Sequence, residues 1–548
     1  MFQETSSESK SGKKSANEAI HRLDLQIADL QESVRILKSQ RNGHLPISTL
    51  PVEILTKIFL LHQHNMLVQL LGWIGITHVS QRWREIALNF SDLWIHIPFH
   101  HPKWAKEMIA RSQHAYPIVK ANYIPSSHPS EARRLKNFLQ QHLSRVQVLD
   151  ILCAKPQHIA KLFQDIQPTS VPCLSTLRLS VQSQKSGTAP SAVLDSFQIV
   201  DSRLLNANSL RKLNVSTTPR WDLGLFSGLT HLKLHSKLRT QTSQREFLDA
   251  LRRMPNLQSL QLDGPVLPEA VDKSSLEPVH LPDLRKLDVL DTVPIIEFFL
   301  HHVTFPPNTC TAIGCKRRDP VLRLPNISPM LVLLKRLLSE RPRALKLHHI
   351  NFVCFKERDV WKLKLYGRIC PPLQGYHTNS AADFIFFVEW DSYEADTLSP
   401  IDELSVDMFG IFPQGDVVSL SLSSYGGTCV RHFARKIGQL PALNALRLNY
   451  IPSAPFLQEL DCDAPQEGDN LSIPTYPALR CLHFNPNHHI DVPDLTTLYN
   501  CLKKRSELGL GPEKLKINLC TLRNLDEQTT ALLEKVVEVV SVMNDWNS

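Results

Sequence analysis

The stretches "LQSLQL" (residues 257–262) and "LRKLDV" (284–289) have apolar residues at the first, fourth and sixth positions. The last two apolar positions alternate as in a half-buried strand, and the first closes a turn against the core. The same pattern recurs along the chain in "LSTLRL" (174–179), "LRKLNV" (210–215), "LTHLKL" (229–234), "IDELSV" (401–406), "VVSLSL" (417–422), "LNALRL" (443–448) and "LRCLHF" (479–484), with "LSRVQV" (143–148) as its first candidate. The sequence therefore predicts a repeated strand.

Helical patterns lie between these strands, with apolar residues three and four apart. They are "SQREFLDALRRMPN" (243–256), "SPMLVLLKRLLSERP" (328–342), "VRHFARKIGQLP" (430–441) and "DLTTLYNCLKKR" (494–505). Many strand copies begin 26 to 36 residues apart, which is room for one strand and one helix. Since neither element buries its apolar side alone, the units must stack.

This pattern resembles the leucine-rich repeat family, which implies an α/β solenoid with parallel strands on a concave face and helices outside. We expect it to span residues 103–525 and to be irregular, because the family's Asn or Cys after the strand is found only at Asn487. Segments 305–326 and 371–400 are interpreted as insertions, although "DFIFFVEW" (383–390) could add a strand. An amphipathic helix at 526–548 is predicted to cap the last repeat.

Polar residues between the apolar positions of the repeated strands should face solvent. They are the candidates for contact with a client protein, although many of them could be only solvated surface. The candidates are Arg178, Lys212, Lys233, Gln261, Asp288, Arg447 and His483.

Near the start of the chain, "LPVEILTKIFLL" (50–61) predicts a helix that is apolar on every side. At about 100° per residue, its large side chains point in nearly all directions, so one neighbour could not cover them. "MLVQLLGWIGI" (66–76) and "VSQRWREIAL" (79–88) predict two further short helices. A unit of about fifty residues buries only around 60% of its surface. We therefore expect a second protein to cover the excess.

These residues, together with "DLW" (92–94), resemble the F-box, in particular its fungal form, over residues 48–97. The resemblance implies binding to the Skp adaptor, and through it to cullin. Two features depart from the family: Ser80 replaces a frequent cysteine, and the turn from Leu61 to Val79 is long. The alternative is an ordinary helical subdomain packed on the remainder of the chain. The residues implied to face the adaptor or form the domain core are Leu50, Pro51, Ile54, Leu55, Ile58, Phe59, Val79, Trp83 and Trp94.

Residues 18–42 predict a further helix, preceded by a polar tail at 1–17 that should be disordered. Ile20, Leu23, Ile27, Leu30, Val34 and Leu37 alternate by three and four, which is a coiled-coil seam of under three heptads. The pattern leaves two interpretations open. The helix either docks on its own chain or self-associates through residues 20–37.

The composition is that of a folded protein, because 42% of the 548 residues are apolar and 21% are charged. The net charge of +8 is spread along the chain instead of gathered into one basic block, so it argues only weakly for nucleic acid, and we do not expect nucleic acid as a partner. No apolar run approaches the ~20 residues of a membrane span, and the start lacks a signal-peptide pattern. Eleven irregularly spaced cysteines indicate reduced thiols. We expect a cytoplasmic or nuclear protein.

The sequence shows no constellation typical of an enzyme. It has no Gly-rich phosphate loop and no nucleophile elbow. Cys310 and Cys315 lie near His301 and His302, but no second cysteine pair completes a zinc site, so ordinary thiols are the favoured interpretation. We expect no catalytic residue, no metal and no cofactor.

The resulting hypothesis is a non-catalytic substrate-recognition subunit of a Skp–cullin–F-box ubiquitin ligase. The F-box-like helices would bind Skp, and the repeat surface would bind a client protein for degradation. The alternative is a repeat-based scaffold or receptor outside any ubiquitin ligase, and an enzyme ranks third.

Overall fold

The computed structural model divides the chain into two compact units, which are residues Met1–Leu152 with Asp165–Leu174, and Cys153–Gln164 with Ser175–Ser548. Residues 103–152, where the solenoid was predicted to begin, lie in the first unit. The structure describes residues 8–65, 71–125, 127–163, 171–181, 209–216, 227–236, 242–268, 276–316, 327–357, 360–370, 382–391, 399–425, 431–449, 454–461, 475–485, 495–510, 512–518 and 531–542.

The first unit is mainly helical. Its helices are α1 (Glu8–Gly43), α2 (Val52–Asn65), α3 (Gln81–Asn89), α4 (Pro102–Arg111) and α5 (Pro129–His142). Short 3₁₀ helices lie at Pro46–Thr49, Leu71–His78 and Ser91–Trp94. The middle helix predicted at 66–76 is a 3₁₀ helix over residues 71–76, and residues 66–70 lie outside the described part. Its strands are β1 (Ile118–Tyr123) and β2 (Val148–Cys153), which are neighbours in one sheet.

Helix α1 begins at Glu8, so the disordered tail predicted for residues 1–17 is wrong over residues 8–17. Residues 1–7 lie outside the described part. The physical reason is cooperativity, because extending a helix that is already nucleated adds one hydrogen bond for each residue fixed. Polar residues can therefore join the helix without burying an apolar side chain.

The second unit is built on a large, mostly parallel sheet, which confirms the predicted α/β class. Its strand order is β3-β4-β5-β6-β8-β10-β13-β12-β11-β14-β15-β16-β17-β18, and β12 runs antiparallel to both of its neighbours. The strands, with the separate pair β7 and β9, are β3 (Thr176–Val181), β4 (Lys212–Ser216), β5 (His231–His235), β6 (Ser259–Asp263), β7 (Val279–His280), β8 (Lys286–Asp291), β9 (Val303–Thr304), β10 (Cys310–Lys316), β11 (His349–Glu357), β12 (Val360–Arg368), β13 (Phe384–Asp391), β14 (Ser419–Tyr425), β15 (Ala445–Asn449), β16 (Cys481–Asn485), β17 (Lys514–Asn518) and β18 (Glu538–Val542).

Helices of the second unit alternate with its strands, and successive helices from α8 to α13 contact one another. The alternate strand residues that face this layer are buried, for example Leu260 and Leu262 on β6. The helices are α6 (Pro156–Phe163), α7 (Gln244–Arg252), α8 (Val293–His302), α9 (Ser328–Ser339), α10 (Ser399–Phe409), α11 (Arg431–Gly438), α12 (Ala454–Leu460) and α13 (Leu495–Glu507). The four helices predicted from the sequence are α7, α9, α11 and α13.

Several predicted elements differ from the structure. "IDELSV" (401–406) was predicted to be a strand but lies in helix α10, where Leu404 and Met408 are buried one turn apart. The predicted insertion at 305–326 contains strand β10, and "DFIFFVEW" does form a strand, β13. The first three residues of "LSRVQV", Leu143–Arg145, form a 3₁₀ turn, and only its last residue, Val148, lies in strand β2.

The predicted capping helix at 526–548 is wrong over residues 538–542, whereas residues 531–533 are helical. Residues 538–542 form strand β18, which pairs in parallel with β17. "EVVSV" is rich in β-branched residues, and the exposed edge of β17 offers hydrogen-bond partners. Among the described helices, none is long and apolar enough to cross a bilayer.

Candidate binding surfaces

The front segment, residues 45–94 of the first unit, has an aromatic core. Leu55, Phe59 and Trp94 are fully buried. The rings of Phe59 and Trp83 lie 5.0 Å apart between centroids, and the indole N–H of Trp94 donates to the carbonyl of Ala87 at 2.8 Å. Tilted ring pairs and a satisfied indole N–H are the favoured arrangement for buried aromatics. The segment therefore has a sealed interior, to which Arg111 of helix α4 contributes by lying 4.4 Å from the centroid of the Trp94 ring.

Polar contacts fix the entry to helices α2 and α3. The guanidinium of Arg82 donates to the backbone carbonyls of Ser48 and Leu50, the latter at 2.7 Å. Ser80, which replaces the family's frequent cysteine, caps α3 by accepting a hydrogen bond from the backbone N–H of Trp83 at 3.2 Å. Serine is a favoured residue at this position because its hydroxyl satisfies an otherwise unpaired N–H. The departure at Ser80 thus has a local structural role.

Around this core, the front segment leaves large apolar side chains exposed. Leu61 is 64% exposed and Val79 is 54% exposed, and the others are Leu45, Ile47, Val52 and Ile54. Isolated exposed apolar residues are common on protein surfaces, and several within one short segment make this segment a candidate binding surface.

The structure sorts the residues predicted to face an adaptor into three groups. Leu55, Phe59 and Trp94 are buried in the core of the segment. Those that are half-buried are Leu50, Ile58 and Trp83, and those that are exposed are Pro51, Ile54 and Val79. Only the last two groups can contact a partner in this conformation.

In the second unit, the open face is the side of the sheet that bears Arg178, Lys233 and Gln261, opposite the buried leucines. Strand pairing aligns one row of residues across this face. The row runs through Arg178, Asn214, Lys233, Gln261, Asp288, Ala312, Ile385, Tyr366, Asn351, Ser421, Arg447 and His483. Every predicted client-contact residue except Lys212 lies in it, and Lys212 begins the neighbouring row beside His231.

The β3–β8 part of the open face is mainly basic. Arg178, Lys212, Lys233 and Lys286 are exposed there. Asp263 accepts from the imidazole of His235 at 2.8 Å and lies 3.6 Å from Lys316. These contacts, the His235 hydrogen bond above all, lower the pKa of Asp263, whereas burial raises the pKa of Asp288. This zone suits an acidic segment of a partner.

The middle of the open face, on strands β8, β10, β13 and β11, is apolar. Leu290, Ile385, Phe387, Val353 and Phe355 are half-buried there. Gly314 lies between two of them, and an added Cβ would meet the Phe387 ring and lie 2.6 Å from Leu290 Cδ1. The ammonium of Lys364 lies 5.3 Å from the Phe355 ring centroid and 5.6 Å from that of Phe387. Such a cluster resembles the apolar centre of a protein interface.

The β14–β15 part of the open face carries hydroxyl and amide groups. The side-chain amide of Asn449 donates to Ser421 at 3.2 Å and to Ser423 at 3.1 Å. The apolar middle zone was not predicted from the sequence, because β10, β11 and β12 do not follow the repeated pattern. The alternation in "NFVCF" (351–355) was the signal that could have identified it.

The first unit also contains a cavity of about 660 Å³ that the sequence analysis did not predict. Burial lowers the pKa of His96 at its wall to about 4, and the charges of Lys120 and His64 act in the same direction. The imidazole is therefore neutral at physiological pH. The lining residues are His96, Ile97, Pro98, His100, Ile118, Lys120, Ala121, Asn122, Ile124, His128, Glu131, Asp150 and Leu152.

Cys310 and Cys315 do not converge on one site. They lie on opposite faces of β10, with Cys315 buried and Cys310 half-buried. The thiol of Cys310 donates to the carbonyl of Ala382 at 3.2 Å, and burial raises the pKa of both thiols. Buried thiols with raised pKa are poor metal ligands and poor nucleophiles.

No protein-family model matches the chain, and no curated protein matches it either. The resemblances to the F-box and to leucine-rich repeats therefore rest on the residues of the front segment and of the repeated strands. Those residues produce two surfaces that a partner could contact, which are the exposed apolar side chains of the front segment and the open face of the sheet.

Proposed function

We propose that this protein is a substrate-recognition subunit of a Skp–cullin–F-box ubiquitin ligase. In this proposal the front segment binds the Skp adaptor, and the second unit binds the client through an irregular leucine-rich-repeat surface. The observation that carries the proposal is the set of exposed apolar side chains around the sealed core of the front segment, with Leu61 64% exposed and Val79 54% exposed.

The balance of burial in the front segment supports a partner there. Leu55 and Phe59 show that the segment can bury large side chains, yet Ile54 on the same helix stays 41% exposed. Burying a Leu, Ile or Val side chain fully contributes about 1.5–3 kcal/mol relative to leaving it exposed. A partner that covers these positions gains that free energy, and the ring of Trp83, which is half-buried, offers an aromatic contact.

The client would bind the open face, where the apolar zone provides contact area and the basic zone provides charge selection. A suitable client segment has acidic side chains followed by apolar ones. Ubiquitin transfer would then depend on proximity. A client lysine held near the activated ubiquitin reacts at a high effective concentration, and no residue of this chain needs to form a covalent bond.

Copurification of the full chain with a Skp-family adaptor tests the proposal. The test variant combines Ile54→Asp with Val79→Asp, which places two charges on the exposed apolar surface without touching the core. The matched control is Val332→Asp on α9 of the second unit, where Val332 is 68% exposed. We expect the double variant to lose adaptor binding at least tenfold and the control to retain it.

Two results would overturn the proposal: an intact chain that does not bind the adaptor, or a double variant that binds as well as the control. Either result would favour the alternative of a scaffold or receptor outside the ligase. A separate experiment tests the client surface. Proteins captured with the proteasome blocked are compared between the intact chain and a chain that carries Lys212→Glu and Lys233→Glu, and a client that binds the basic zone is lost from the variant.

A further inference from the structure

Helix α1 carries a second set of exposed apolar side chains, distinct from the front segment. They alternate by three and four along one side of the helix and are 48 to 66% exposed. In heptad notation, the β-branched residues Ile20, Ile27 and Val34 occupy position a, and the leucines Leu23, Leu30 and Leu37 occupy position d. We call this set the α1 seam.

Within the described residues, the seam does not dock on the rest of the chain. The contacts that link α1 to later residues lie near its carboxyl end, where Ser48 donates to the carbonyl of Asn42 at 2.5 Å and Arg35 reaches Gln81 at 3.5 Å. Most helical stability in proteins comes from packing of an apolar face, and the seam has no such packing in a single chain. Of the two interpretations that the sequence left open, docking is therefore the weaker.

We propose that the α1 seam pairs with the same seam of a second copy of this chain, forming a parallel two-stranded coiled coil over residues 20–37. The residue types identify the occupant. In parallel coiled coils, β-branched residues at a with leucine at d favour two strands, because the packing geometry differs between the two layers. All three a positions and all three d positions of the seam follow this rule.

The residues that flank the seam are compatible with this pairing. In a parallel dimer, Gln26 of one copy would face Gln31 of the other, and Ser33 would face Lys38, so neither contact opposes like charges. The ion pair between Glu32 and Arg35, at 2.6 Å, lies away from the seam. Arg41 occupies the next a position, which ends the apolar pattern after residue 37.

The available area also suits a weak to moderate dimer. Six half-exposed side chains from each copy offer on the order of 1,000 Å² of apolar surface, near the lower end of stable protein interfaces. The dimer should therefore dissociate on dilution. This inference does not depend on the ubiquitin-ligase proposal, because the seam and the front segment use different residues.

Sedimentation equilibrium of the full chain tests the pairing. Each chain has a mass of 62.3 kDa, and we expect the mass to double with rising concentration. Leu23→Gln with Leu30→Gln should abolish the doubling. The control is Leu25→Gln with Ile36→Gln, because Leu25 and Ile36 are 55% and 45% exposed on the same helix but lie off the seam.

A chain that stays monomeric across the micromolar range would overturn the proposal, as would a seam variant that dimerises as well as the control. Circular dichroism checks that both variants keep the fold of the rest of the chain. Oxidation of a Leu37→Cys variant tests the orientation, with the parent chain as the control for native cysteines. A parallel pair brings the two introduced thiols together and gives a covalent dimer, whereas an antiparallel pair leaves them apart and contradicts the proposed geometry.

Discussion

Helix α2 of the first unit and strand β6 of the second unit differ in where their apolar side chains lie, as two pairs of neighbouring residues show. On β6, Leu260 is fully buried and Gln261 faces the open side of the sheet. On α2, Leu55 is fully buried, but its neighbour Ile54 is 41% exposed. The strand thus separates apolar from polar residues, whereas the helix has apolar residues on both its buried and its exposed sides.

The difference results from how each element finds neighbours. A parallel strand is covered on one face by the helix layer and paired on both edges, so a period of two is sufficient to sort its residues. A short helix in a small helical segment has too few neighbours to cover its whole circumference. Apolar residues that remain on its surface lower solubility without stabilising the monomer, which is why we assign them to a partner.

The largest expected effect contrasts Leu55→Asp with Ile54→Asp. The first places a charge in a sealed core and should reduce the free energy of unfolding of the first unit by more than about 4 kcal/mol. The second should change it by less than about 0.5 kcal/mol. Chemical denaturation of the two variants measures both values. Equal destabilisation would break the distinction between the two sides of α2.

The matching pair in the second unit is Leu260→Ala and Gln261→Ala. Removing the buried leucine should cost about 2–5 kcal/mol through lost burial and the cavity that it leaves. Removing the exposed amide should cost less than about 0.5 kcal/mol. Thermal or urea unfolding provides the measurement. A large loss from Gln261→Ala would show that the open face is held by internal packing and is not free for a client.

An intermediate effect is expected from pH, through His96 in the first unit. Its folded-state pKa of about 4 lies below the ordinary 6.5, so the unfolded chain binds the proton more tightly. Stability should therefore fall as the pH drops below about 6.5 and level off below about 4, with a loss on the order of 2 kcal/mol at pH 5.

Comparison of the parent with His96→Asn, by denaturation at pH 5 and pH 7, isolates this contribution. The variant should lose less stability than the parent between the two pH values. If both show the same pH dependence, the half-buried imidazole at the cavity wall does not titrate as described.

The smallest effect concerns helix α7 of the second unit. Ser243 accepts a hydrogen bond from the backbone N–H of Glu246, and the Glu246 carboxylate accepts one from the Ser243 N–H at 2.8 Å. Loss of this capping box in Ser243→Ala should cost about 1 kcal/mol. Ser339→Ala on α9 is the control, because Ser339 donates only to a carbonyl one turn earlier. Equal stability of the two variants would exclude a contribution from the cap.

The sequence predicted the regular part of this fold because the repeated strands carry their own period. "LRKLNV", "LTHLKL", "LQSLQL" and "LRKLDV" all form parallel strands with the expected residues buried. It did not predict the β11–β12 hairpin, whose alternating residues include lysines and lack the repeated pattern. A helix was also predicted for "EVVSV", but these residues form strand β18 because they pair with β17.

The candidate binding surfaces, like the fold, were predictable only in part from the sequence. The apolar richness of residues 50–61 was evident in the sequence, but which residues are buried depends on three-dimensional neighbours, as Ile54 and Leu55 show. The polar residues that the repeated strands place on the open face were predictable directly from strand periodicity. The alternation in "NFVCF" indicated a strand, but the apolar middle zone as a whole was not predictable, because strands distant in sequence, β8, β10, β13 and β11, contribute its residues.

Titration calorimetry of a Skp-family adaptor into the full chain, repeated at several temperatures, is the most direct test of adaptor binding by the front segment. If the exposed apolar residues of the front segment form the binding surface, the parent binds with a negative heat-capacity change, because apolar area leaves water. The Ile54→Asp and Val79→Asp double variant then binds at least tenfold more weakly. Absence of binding by the parent, or the same affinity and heat-capacity change in the double variant, would contradict the account.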